Sequence, residues 1–179
     1  MCKLIAAISL SLLLQVVAIP ARAEAPSAKV PEIEAAFLVK FTSYVKWPAG
    51  TFSRPDAPVV IGIFGRDPFG SAINTIARSY TTNERHVEIR RCTNIAQLSS
   101  CNMVFVAPSA MGRLEEVVSN VAALPILLVG DSPGFLDQGG MINFVMVANK
   151  IRFNISRKNC AKAGLEISSK LLKVAHALR

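Results

Sequence analysis

Three short runs in this chain are almost wholly apolar: VVIGIFG at 59–65, MVFVAPS at 103–109 and PILLVGD at 125–131. None alternates with polar residues, as a strand wetted on one face must, so each predicts a strand buried on both faces. Segments of helical spacing separate them. Between the last two, residues 111–123 place Leu114, Val117, Val118 and Val121 on one side of a helix. Buried strands alternating with helices imply parallel neighbours and helices on both faces of the sheet. The expected fold is α/β: a three-layer sandwich around a mixed, mostly parallel sheet.

The flanking segments complete that plan. Pro31, with Glu32 and Glu34 behind it, starts a helix in which Ile33, Ala36, Phe37, Phe41, Tyr44 and Val45 recur up to Trp47-Pro48. RDPFG (66–70) turns the chain into a short helix ending near Arg78, and HVEIRR (86–91) alternates like a strand with one wet face. GGMINFVMVANKIRFNI (139–155) reads as a C-terminal β-hairpin. Gly139-Gly140 turns into it, and Asn149 suits the positive φ of a tight turn. Alternation puts Ile151, Phe153 and Ile155 on one face. Arg152 and Asn154 form a polar second face, either structural or in contact with a partner. A long C-terminal helix is expected over 157–178, with Cys160, Gly164, Ile167, Leu171, Val174 and Leu178 on its apolar side.

The first 23 residues have the layout of a secretory signal. Lys3 precedes an apolar stretch, and Ala21-Arg22-Ala23 offers a small-x-small cleavage point after Ala23. A membrane anchor is the competing reading, but the stretch is short for a span of roughly 20 residues. Cleavage would leave residues 24–179 as a single domain in the periplasm. That chain carries eighteen basic and twelve acidic residues, the basic ones scattered rather than clustered, which argues against nucleic acid as a partner.

Export implies an oxidising compartment, which gives the cysteines meaning. Cys92, Cys101 and Cys160 remain, an odd count that permits at most one internal bridge. A Cys92–Cys101 disulfide would tie the end of one strand to the start of the next. Cys160 reads as a buried free thiol, with pairing to another protomer as the alternative.

Catalytic constellations are scarce. Gly130-Asp131-Ser132 resembles an esterase nucleophile block, yet the residue three before His176 is Lys173, not the acid that such a site needs. His86 and His176 stand alone, so no metal-ligand spacing and no cofactor site is expected. The loop at 65–70 lacks the Gly-Lys-Ser/Thr ending of a phosphate loop. The expectation is a protein that is not an enzyme. One ligand reading stays open: parallel strands would align Arg66, Asp67, Ser109, Asp131 and Ser132 along the C-terminal strand edge, a common crevice for small solutes. Ordinary turn and cap chemistry accounts for the same residue types.

Three segments resemble the YfiR family of periplasmic proteins: AAFLVKFTSYVKWPAGTF (35–52), VVIGIFGRDPFG (59–70) and GGMINFVMVANKIRFNISRKNCAKAGLEISSKLLKVA (139–175). Cys101 falls where that family often has a Cys-His pair, with Asn102 here in place of the histidine. The resemblance implies a non-enzymatic repressor. It would bind the periplasmic sensor region of an inner-membrane diguanylate cyclase and lower cyclic-di-GMP and biofilm formation. It further implies release through an OmpA-like outer-membrane lipoprotein, a homodimer, and activity sensitive to the Cys92–Cys101 disulfide. A small-solute-binding sensory module acting on another membrane partner is the alternative.

Overall fold

In the computed structural model, which describes residues 30–179, the three apolar runs lie side by side in the middle of one sheet. The expected signal segment falls outside the described residues. The chain runs from helix α1 (Val30–Phe41) through the two-residue strand β1 (Val45–Lys46) into β2 (Val59–Phe64). Helix α2 (Ala72–Arg78), β3 (Thr81–Thr82) and β4 (Arg85–Cys92) follow. After a 3₁₀ turn at Ile95–Ser100 come β5 (Met103–Val106), a second 3₁₀ turn at Pro108–Arg113, α3 (Leu114–Val121) and β6 (Leu127–Gly130). The hairpin strands β7 (Ile142–Val147) and β8 (Lys150–Ile155) precede α4 (Arg157–Lys162), β9 (Glu166–Ile167), α5 (Ser169–Val174) and β10 (Ala177–Leu178).

The large sheet has eight strands in the order β10-β8-β7-β6-β5-β2-β4-β3. Its pairs are parallel except β7·β8 and β3·β4, as a mixed, mostly parallel sheet requires. Every residue of β2, β5 and β6 is buried, which is why those runs carry no alternation. Helices α1 and α2 cover one face. Phe69, leading into α2, meets Phe105 edge-on at 4.8 Å, and Phe37 and Phe41 of α1 pack on Phe144 and Phe153 of the hairpin. Gly62 and Gly130 open to the other face, where Cys92, Cys101 and Phe135 lie. The hairpin turn is built from Ala148 and Asn149, both at positive φ (47° and 58°), matching a two-residue type I′ connection.

Two expectations are corrected. The C-terminal segment is not one long helix: it is α4, β9, α5 and β10 in succession. Gly164, at φ +70°, ends α4 in a Schellman motif, with Leu165 N–H donating to the Cys160 carbonyl and Gly164 N–H to that of Ala161. Chain beyond it gains strand pairing instead, β9 on β1 and β10 on β8, and Ser168 caps α5 through its side chain. The first helix is also shorter than expected, and its buried stripe is rotated. Glu34, Ala35, Leu38, Val39 and Phe41 face inward, while Ile33 is 44% exposed.

Candidate functional site

The most chemically distinctive place in the fold is the thiol pair at the junction of β4 and β5. Cys92 is the last residue of β4, and Cys101 lies one residue past the 3₁₀ turn that leads to β5. Parallel pairing of both strands with β2 brings these ends together. The two Sγ atoms are 3.9 Å apart, both thiols are free, and each residue is buried. Gly62 of β2 makes the space: a Cβ there would lie 2.8 Å from Cys101 Sγ and 3.2 Å from Cys92 Sγ. A capping box holds the connecting turn, with Asn94 accepting from Gln97 N–H and Gln97 accepting from Asn94 N–H. The thiols polarise each other. The hydrogen bond to Cys101 pulls the Cys92 thiol down, against burial and with help from Arg90. The same contact, together with burial, pushes Cys101 up. The contact therefore favours ionisation at Cys92 over Cys101. Cys160 is buried among apolar neighbours, which push its thiol up to about 12.

The C-terminal strand edge divides into two parts. On one side Arg66 N–H donates to Ser109 Oγ at 2.8 Å. Asp67 is occupied by structural partners: its Oδ1 accepts from the N–H groups of Phe69 and Gly70, and its Oδ2 pairs with Arg91 at 2.8 Å. On the other side Ser132 Oγ donates to Asp131 Oδ1 at 3.4 Å. Among the described residues no hydrogen bond or ion pair joins the two groups. Asp131 instead lies near enough to Glu34 of α1, a buried acid that the sequence reading did not single out, for its charge to act there. Burial, and secondarily the Asp131 charge, push the Glu34 carboxyl up to about 7. Burial pushes Asp131 up as well.

Arg152 is exposed and Asn154 half-buried, on the face opposite Phe153. Asn154 stands directly across from Asn143, and the side-chain oxygens of both have no hydrogen-bond partner among the described residues. Asn102, in the place of the family's histidine, is a strand clamp. Its Oδ1 accepts from Val60 N–H at 2.9 Å, and its carbonyl accepts from Leu127 N–H and Trp47 Nε1. Asn102→Ala leaves the Val60 N–H without that acceptor and should lower the unfolding free energy by about 1–2 kcal/mol in urea titration.

Among the described residues no group of three or more His, Cys, Asp or Glu side chains is arranged to hold a metal, and no helix is long and apolar enough to cross a membrane. A family profile described as YfiR/HmsC-like matches residues 31–176, nearly the whole described chain. The chain belongs to the YfiR/HmsC-like family. That family is one of periplasmic regulators of the cyclic-di-GMP system, regulatory rather than catalytic. No curated protein matches the chain. Solved structures share its fold. A conserved domain protein from Vibrio cholerae O1 biovar El Tor superposes with a TM-score of 0.57 at 8% identity, over 84% of this chain and 60% of that one. The ABC domain in complex with L-Trp from Streptococcus pneumoniae gives 0.51 at 13% identity, over 81% and 62%. This YfiR/HmsC-like chain thus spans about three-fifths of each solved chain, and at these identities the likeness concerns the fold.

Proposed function

We propose that this protein is a periplasmic repressor that binds the periplasmic sensor region of an inner-membrane diguanylate cyclase. Binding holds cyclic-di-GMP synthesis, and with it biofilm formation, down. Membership of the YfiR/HmsC-like family across residues 31–176 is the observation that carries this reading. In this proposal the active form is a homodimer, and an OmpA-like outer-membrane lipoprotein relieves repression indirectly.

The thiol pair supplies the redox input in the same proposal. Oxidation joins Cys92 Sγ to Cys101 Sγ. The two thiols lose two protons and two electrons to a disulfide donor, with Cys92 as the attacking thiolate and Cys101 closing the bond. The free pair at 3.9 Å beside Gly62 supports this step, since only a small approach of the sulfurs is needed. The bridge would close a short loop and stabilise the fold by roughly 2–3 kcal/mol.

The test is co-purification of the protein with the periplasmic domain of a co-encoded cyclase, in oxidised and reduced forms. A complex weakened at least severalfold by reduction, and by Cys92→Ser to the same level, is expected. Failure of both forms to bind would remove the repressor reading. Equal binding by oxidised, reduced and serine-substituted protein would remove the redox input alone. Intact-mass measurement should show a loss of two hydrogens after periplasmic expression.

A further inference from the structure

We propose that the groove between α1 and α5 binds an amphipathic monocarboxylate, an apolar tail ending in one carboxylate. The groove has a volume of about 330 Å³. Its floor is the aromatic cluster of Phe37, Phe41 and Phe153, whose rings stand 5.1–6.0 Å apart. Leu171 and Val174 of α5 form the far wall, and Val174 is 62% exposed, the most exposed large apolar side chain among the described residues.

The charge on the rim selects the head group. Lys40 on α1 and Lys170 on α5 both line this groove, and among the described residues neither ammonium forms an ion pair. The α5 side of the groove carries the same sign, with Lys170 and Lys173 and no acid in that helix. Such a field draws anions to an apolar slot. It disfavours a second copy of this chain, which would set lysine against lysine across a two-fold axis. The volume lies near the lower end of small-ligand sites, roughly 300–1,000 Å³, and suits a single tail. A stable protein interface covers about 800 Å² on each partner, a larger and flatter demand than this slot meets.

This site does not depend on the cyclase-binding reading, and neither the thiol pair nor the strand-end acids line it. Calorimetric titration of the purified protein with decanoate, below its micelle concentration, tests the proposal. One decanoate per chain should bind. Decanol should bind about tenfold more weakly, and decyltrimethylammonium should not bind. The double variant Lys40→Ala/Lys170→Ala should lose about tenfold in decanoate affinity, the sum of two exposed ion pairs, while binding decanol as before. Val174→Trp should fill the slot and abolish binding of both. Melting curves of the variants matching that of the parent confirm that the fold survives. No heat with decanoate, equal binding of the cation, or full affinity in either variant would overturn the site. Tighter binding of decyl phosphate than of decanoate would overturn the carboxylate assignment in favour of a phosphate head.

Discussion

Gly140→Ala should lower the unfolding free energy by about 3 kcal/mol, or leave too little folded protein to purify. The reason is the ring of Phe135, wholly buried between two glycines. Gly130 ends β6 and Gly140 lies two residues before β7, so the ring plugs the gap where the chain leaves one strand and enters its neighbour. A Cβ on Gly140 would overlap the ring edge and also lie 2.7 Å from the Phe135 carbonyl oxygen. A backbone atom cannot swing aside as a lysine tip can. Overpacking of this kind costs roughly 1–3 kcal/mol where relaxation is possible, and here the loop is pinned. Asn159 Nδ2 of α4 donates to the carbonyls of Leu136 and Gly140 at 3.0 and 2.7 Å. Phe135→Ala alone should also cost about 3–5 kcal/mol through the cavity it leaves. If the ring is the obstacle, the double variant should be markedly less unstable than the two losses added together. Simple additivity in urea unfolding would show that Gly140 is required for some other reason.

The second large effect is a reversal of the usual dependence of stability on pH. Most folded carboxylates are held below their ordinary value, so acid destabilises. Glu34 is held above it, moving from 4.5 to about 7, first by burial and then by Asp131. A folded state that keeps its proton longer than the unfolded chain is favoured at low pH. Stability from this group is complete below about 4.5 and is lost as pH rises through 7. Asp131 is shifted in the same direction and adds to the trend. Glu34→Gln keeps the shape without the charge. Relative to the parent it should gain about 2 kcal/mol at pH 8 and nearly nothing at pH 4.5. Chemical unfolding of both proteins from pH 4.5 to 8 measures that difference. Parallel curves would mean that Glu34 is ionised in the folded protein throughout.

These acids also mark where sequence reading stopped. Runs such as VVIGIFG were legible because burial on both faces removes every polar residue, a signal that survives without an alignment. Asp67 was legible as turn chemistry, and the fold uses it so, accepting two backbone N–H groups and pairing with Arg91. Glu34 was not, because an acid in the first turn of a helix reads as a partner for the helix dipole. Only the packing of α1 on α2 and the hairpin turns it inward. The C-terminal segment failed for a related reason. Cys160, Ile167, Leu171 and Leu178 do follow helical spacing, but they lie on four different short elements, and of these only Cys160 and Leu171 are buried. Periodicity cannot see the backbone reversal at Gly164, nor the long-range strand partners that replace the helix. The thiol pair was half legible: the short spacing suggested contact, and the interior glycine that makes room for it was in plain sight in β2.

The small sheet of β1 and β9 has a consequence for timing. Lys46 and Glu166, joined across it by an ion pair of 3.1 Å, are 120 residues apart in the chain. Closing so long a loop is slow compared with forming local turns, and the ordering cost comes before any contact repays it. A chain threaded through a membrane channel from its amino end would hold Val45 and Lys46 unpaired until Ile167 had followed. Until then β1 has no partner strand. The pairing of β1 with β9 therefore waits for nearly the whole domain to be present.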